Sequence, residues 1–356
     1  MRAPRPGRVR AAGWSIAWAA WACIGAAPAL AQRSTAPVPP AAMPSGRPAD
    51  SAAAAAAAAA AGSVHTWHVQ GRVYMLVGAG PNITVQVGDE ALFVVDAGRA
   101  EYSDAVLAAI RQLSDRPVQY VIDTSGDPDH VGGNLALAKA GFANSGQRNE
   151  PTTAGIVAQL NVLQRMDDAK SPRGSAPTDT YDAQWALYND EAVLLTHAPA
   201  AHSDGDSYIF FRSSDVISTG ELFNPESYPV IEQDRGGSLE GILSALTDII
   251  GIMVPRQNEE GGTYIVPAHG AVCDRTAIVN YRDALTIIRA RIRYDVAKGM
   301  TLEQTLASGP SFDYDGIYGS DSGPWTTRMF LEAVYREVAS DAKTHGVPDE
   351  WRESHH

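Results

Sequence analysis

Cysteine is nearly missing from this chain: its 356 residues hold only Cys23 and Cys273. Cys23 lies in a leader-like stretch, where the preceding Ala20-Trp21-Ala22 matches a lipoprotein signal poorly. Cys273 then stands alone in the mature chain, so no internal disulfide can form even in an oxidising compartment. It is expected to be a small, at least partly buried side chain. Basic residues are also in deficit, with 28 Lys plus Arg against 41 Asp plus Glu and a formal charge of −13. Removing residues 1–31 takes away four arginines and no acids, which moves −13 to −17. That balance argues against nucleic acid or an anionic membrane as a partner.

Long apolar runs are scarce as well. The one candidate, residues 11–27, is too short and too rich in alanine to span a bilayer, which takes about 20 apolar residues. It follows Arg2, Arg5, Arg8 and Arg10 and precedes Ala29-Leu30-Ala31, the order of a secretory signal peptide. Residues 1–31 are therefore expected to be a signal peptide, and the protein to be exported, periplasmic or secreted, from a bacterial cell. No stable membrane insertion is expected after cleavage; an uncleaved anchor is the alternative. Residues 32–63 have hardly a large apolar side chain and include an unbroken alanine run, 52–61. Such a segment cannot bury enough surface to offset its ordering entropy, so a disordered tether is expected there. One folded domain is expected over 64–345, with a polar tail at 346–356.

Within that domain, residues 66–95 alternate in period two between Gly-Arg and Gly-Asp-Glu turns, the pattern of strand hairpins. Ala105, Val106, Ala109, Ile110 and Leu113 fall at helical spacing over 103–113, with Ser103 as N-cap. A strand is expected at 118–122, helices at 134–140 and 153–166, and a surface loop around 171–182. Short strands follow in "VLL", "SYIFF", "DVIST" and "TYIVPAHG", with helices over 238–253 and 283–298. A last amphipathic helix at 327–338 is expected to pack in the core and to offer a face for a dimer. Strand groups trailed by helices fit two sheets covered by helices on both outer faces.

Histidine is what the most chemically loaded loop lacks. "DTSGDPDHVGGN", residues 123–134, carries three Asp and a Gly132-Gly133 turn but one histidine, His130. Three other polar clusters also fall at strand ends: His202 with Ser203-Asp204-Gly205-Asp206, Gly220-Glu221, and Ala268-His269-Gly270. Strand ends are where a packed scaffold aims short loops at one edge. A lone histidine in such a place is more often structural than ligating; the recurrence of these clusters in this order shifts the balance.

In that order and spacing, residues 64–275 resemble the metallo-β-lactamase fold superfamily, whose hallmark is His-x-His-x-Asp-His before Gly-Gly-Asn, then His, an acid after Gly, and His-Gly. "HSDGDS", "ISTGELF" and "VPAHG" are similar to an exported branch described as cyclase-like or quinoprotein-relay-like hydrolases. The resemblance implies an α/β fold, an αββα sandwich of two mixed sheets flanked by helices. It also implies metal ligands Asp129, His130, Glu221 and His269 in one site, and Asp127 with His202 in another. Ser125 and Asp127 stand where the family has its two leading histidines, so that other site is degraded. One metal per chain is expected, zinc or alternatively iron, since two imidazoles and two carboxylates suit either. Asp127, Asp129 and His202 are the expected catalytic residues, with Asp127 or His202 orienting the attacking water. The implied function is hydrolysis of an ester, thioester, lactone or cyclic amide bond in a small molecule, with a β-lactam among the substrates admitted. The alternative is a non-catalytic binding protein on the same scaffold.

His197 is expected behind the ligands rather than among them, and Asp204 and Asp206 are expected to hold the loop. Residues 228–241, with a glycine pair before a helix, are read either as an anion site for a substrate carboxylate or as a turn capped by Ser238.

Overall fold

The structure, a computed structural model, describes residues 63–142, 153–258 and 261–352. The expected signal peptide and all but the last residue of the tether lie outside the described residues. Among the described residues twelve strands build two sheets. The first runs β1 (His65–Gln70), β2 (Val73–Val77), β3 (Ile83–Val87), β4 (Leu92–Val95), β5 (Val118–Ile122), β6 (Gly155–Gln159) and β7 (Asp179–Tyr181) in spatial as well as chain order. Its pairs are antiparallel from β1 to β4 and parallel from β4 to β7. The second comprises β8 (Gln184–Tyr188), β9 (Ala192–His197), β10 (Ser207–Phe211), β11 (Val216–Gly220) and β12 (Tyr264–Pro267), antiparallel except for β11 and β12.

Alternation along the strands creates three apolar layers. Phe93 and Val95 of β4 face inward, where they join Ile122, Val157, Val193, Leu195, Ile209 and Phe211 between the sheets. Leu92 and Val94 face the other way, onto Val106 and Ile110 of the helix Ser103–Leu113 and Leu137 of the helix Asn134–Ala140. The outer face of the second sheet, with Tyr208, Ile217 and Ile265, packs on the helices Leu239–Ile252, Arg275–Ala297 and Thr327–His345. Each large apolar side chain so buried contributes about 1.5–3 kcal/mol. This is the αββα sandwich of mixed sheets that the sequence leads one to expect.

Local expectations fare unevenly. Residues 153–166 are not one helix: β6 occupies the first part and a helix, Leu160–Asp168, follows. Every β6 residue is buried between β5 and β7, and a parallel strand covered on both faces shows no alternation to set it apart from a buried helix. The expected loop at 171–182 contains β7, and the edge strand β8 follows it unannounced. Ser103 is the first residue of its helix rather than its cap; a short 3-10 turn, Ala100–Tyr102, leads in, and Ser103 Oγ donates to the Ala100 carbonyl. The helix expected from 283 starts at Arg275, because Asp274 accepts from the amides of Thr276 and Ala277. Trp351, within the expected tail, is buried with the Arg293 guanidinium 4.9 Å above its ring. Among the described residues no helix is long and apolar enough to cross a membrane.

Candidate functional site

The site is built from loops that leave β4, β5, β9, β11 and β12 at one edge of the sandwich. Asp96, directly after β4, sits in the left-handed region at φ 63°, which turns its carboxylate back under the β5 loop. There it accepts from the Thr124 amide at 2.9 Å and from Thr124 Oγ1 at 2.8 Å. Asp127, extended, precedes Pro128, whose fixed φ suits the first position of the one-turn helix Pro128–Val131. That turn buries His130 completely. Gly220, at φ +51°, ends β11 where a side chain would stand 2.6 Å from Thr124 Oγ1. It swings Glu221 toward the histidine.

Two clusters result. In the first, His130 Nδ1 lies 3.0 Å from Asp96 Oδ2, and His130 Nε2 lies 2.9 Å from Glu221 Oε1. The same Glu221 oxygen is 3.1 Å from His269 Nε2. A carboxylate oxygen only accepts, so each facing imidazole nitrogen carries a proton, and His130 carries two. Burial alone would lower the His130 pKa; Asp96 and Glu221 on its two sides outweigh that and hold it well above the usual histidine range. Burial pushes Glu221 upward, but His130 and His269 hold it well below the usual carboxylate range. His269 is also raised, with Asp129 adding to the effect of Glu221 against the penalty of burial. Asp129 is half-buried and acts on His269 through its charge.

In the second cluster, His202 Nδ1 is 3.4 Å from Asp206 Oδ1 and 3.8 Å from Asp127 Oδ2. Ser125 is fully buried, and its Oγ donates to Asp127 Oδ2 at 2.8 Å. Glu232 joins from the loop after β11, so that Asp127, His202 and Glu232 offer ligand atoms all within 4.8 Å of one another. Arg235 Nη1 lies between the two acids, 3.1 Å from Asp127 Oδ1 and 2.9 Å from Glu232 Oε2.

The donors fit a metal by their chemistry. His130 and His269 each set an Nε2 atom against one Glu221 oxygen, and Asp129 acts on His269 through its charge; zinc takes such nitrogen and oxygen ligands at about 2.0–2.2 Å. The 2.9 and 3.1 Å spacings run from donor atom to donor atom across the protons the histidines carry, not from donor to metal. A bound metal would replace those protons.

The structure therefore brings His130 and His269 each against Glu221, couples Asp129 to His269 through its charge, and puts Asp127 with His202. His197 stays behind the rim, with Nε2 2.9 Å from the Asp204 carbonyl. Asp204 pairs with Arg165. The anion expected at the 228–241 turn is the chain's own: Glu337 accepts from the amides of Leu239 and Glu240 at 2.7 and 3.1 Å, and Ser238 caps the same helix. A substrate carboxylate at that helix start is thereby displaced as a reading. Three residues were not foreseen. Asp96 had a signal, an acid before a glycine turn at the end of an apolar strand. Glu232 and Arg235 had none, for they reach the rim only because the Glu232 amide bonds to the His202 carbonyl and the Asp204 amide to the Arg235 carbonyl.

The charges have a pH consequence in chelator-treated protein. His202 would be lowered by burial, yet Asp206, Glu221 and Asp127 raise it to about 9. A histidine raised from 6.5 when folded contributes stability that is complete below pH 6.5 and lost as pH climbs through about 9. The melting temperature should fall by several degrees over that window. His202→Gln should flatten the slope; a wild-type slope in that variant would remove His202 as its source.

Comparison with known proteins agrees with this fold. Residues 76–255 match the family model described as Metallo-beta-lactamase superfamily. A metallo-beta-lactamase from Pontibacter korlensis superposes with a TM-score of 0.50 at 13% identity, over 63% of this chain and 99% of that one. The stereoselective inverting sec-alkylsulfatase Pisa1 from Pseudomonas sp. does so with a TM-score of 0.58 at 15% identity, over 80% of this chain and 51% of that one. This chain thus spans about half the length of the alkylsulfatase, and at these identities the likeness is one of fold. No curated protein matches the sequence.

Proposed function

Because the chain belongs to the metallo-beta-lactamase superfamily, a family of hydrolase-like folds that bind metal, we propose that it is a metal-dependent hydrolase of a small molecule. The bond is an ester, thioester, lactone or cyclic amide, a β-lactam included. The observation that carries this reading is the convergence of His130 Nε2 and His269 Nε2 on one Glu221 oxygen at 2.9 and 3.1 Å. Asp129, His130, Glu221 and His269 would hold one zinc, or iron. Bound there, the metal supplies Lewis acidity to a carbonyl oxygen and to water.

The chain's own residues supply the rest. Asp96 fixes the His130 ring from behind, as a carboxylate behind a ligating imidazole does. Asp127 is the group placed to take a proton from water: Ser125 and Arg235 fix its two oxygens. His202, raised to about 9 without metal, is a proton donor rather than a base at neutral pH. Beside the rim a cavity of about 370 Å³ runs between the loop at 231–235 and the helix Thr327–His345, lined by Trp325, Met329, Arg235 and Arg336 among others. The Trp325 Nε1 atom is buried and has no protein partner. Ile231, Met329 and Ala333 give the wall an apolar part, while Glu232, Asp234 and Glu332 line it beside the two guanidinium groups, so the cavity suits a small substrate with an apolar body and polar groups. Export belongs to the same proposal and rests on residues 1–31. A binding protein without catalysis is the second reading, favoured by the hydrogen bonds that already satisfy both histidines.

The test is elemental analysis of the mature chain purified without added metal, followed by hydrolysis of a panel of thioester, lactone, aryl ester, β-lactam and secondary alkyl sulfate. About one zinc or iron per chain, with hydrolysis that a chelator abolishes and metal restores, is expected. No metal after incubation with excess zinc would overturn the reading in favour of binding. His269 is 41% exposed in its side chain, so His269→Ala should leave the fold standing while metal content falls from about one to near zero. Unchanged metal content would remove His269 as a ligand.

A further inference from the structure

Arg235 holds a place at the rim that a metal ion could otherwise take. Its Nη1 atom contacts Asp127 and Glu232 together, at 3.1 and 2.9 Å. Those carboxylates and His202 are the one group among the described residues whose three ligand atoms lie within 4.8 Å of one another. Two oxygens and a nitrogen suit zinc. The group is also built rather than casual. His202 is buried against Asp206, Ser125 fixes Asp127, and the Gln233–Arg235 turn is stitched to the His202 loop by the Glu232 and Asp204 amides. Gly237 closes the turn where any side chain would overlap the His202 carbonyl.

Two carboxylates this close repel unless a cation lies between them, and either a guanidinium or a divalent ion meets that need. Both cannot do so at once. A metal about 2 Å from each oxygen would sit against Nη1, placing like charges in contact in a half-buried site. We propose that Arg235 is the resident cation of a second zinc site formed by Asp127, His202 and Glu232, and that it keeps zinc out of that site. Withdrawal of the guanidinium opens the site. The side chain is 44% exposed, so it can turn into solvent without unfolding anything.

This inference concerns the neighbouring set of donors and rests on the reading of the chain as a metal-binding protein, but it is judged by a difference. Chelated mature wild type, Arg235→Gln and Arg235→Lys are each equilibrated with excess zinc, desalted and analysed for bound zinc per chain. Arg235→Gln should exceed wild type by about one zinc, and adding Glu232→Ala should remove the gain. Arg235→Lys, which keeps the charge, should stay at the wild-type value. Equal zinc in wild type and Arg235→Gln would overturn the inference, as would two zinc ions in wild type. If the reading of His269 and its partners fails, wild type binds none, yet Arg235→Gln still either gains its zinc or does not.

Discussion

His130→Ala is expected to cost the protein about 3–5 kcal/mol, the penalty for breaking a buried ion pair by removing one partner. His130 is fully buried, and Asp96 beside it is 1% exposed, so water cannot replace the lost imidazole. Two carboxylates would be left facing the hole, Asp96 from behind and Glu221 from the front. Glu221 would retain His269, whereas Asp96 would retain only Thr124 and its hydroxyl. Urea denaturation of chelated protein should show a lower midpoint at unchanged m-value. His130→Gln, able to donate to one carboxylate, should recover part of the loss. A change under about 1 kcal/mol in the alanine variant would mean that the two acids do not depend on an imidazolium between them.

Gly133→Ala is expected to be damaging through pure sterics. A Cβ there would overlap the carbonyl oxygen of Ala97, and the obstacle is backbone, which cannot rotate aside. Ala97 directly follows Asp96, and its amide bonds to the His130 carbonyl at 2.7 Å. Relief of the overlap must therefore push the β4 end away from the histidine turn. A loss of about 1–3 kcal/mol is the common cost of such overpacking. Metal affinity should fall with it, because His130 would lose its backing carboxylate. Melting curves and zinc titration of the same sample check both; a variant as stable as wild type would show that the two segments can part without consequence.

These two positions stand in a loop whose importance can be read directly from the chain. "DPDH" after an apolar strand, then Gly132-Gly133, together with His202, Glu221 and His269 at later strand ends, marks a site because short polar loops on buried strands have one edge to point to. Strands β2 to β4 and the helix Asn134–Ala140 were legible for a related reason: short apolar runs there are punctuated by turns rich in glycine. Strand β6 was not, since burial on both faces removes alternation, and Gly155 to Gln159 then reads equally well as helix.

The sequence by itself determined the kind of protein: an αββα sandwich with histidines and acids delivered to one edge, in an acidic chain with only two cysteines. Burial patterning and turn chemistry are local properties, and they survive reading in one dimension. Only the tertiary structure decided how the charges are shared. It set Asp96 behind His130, placed one Glu221 oxygen between two imidazoles, and brought Glu232 and Arg235 to Asp127 from more than a hundred residues away. Charge pairing depends on distances of a few ångströms between segments remote in sequence, and no local pattern encodes that.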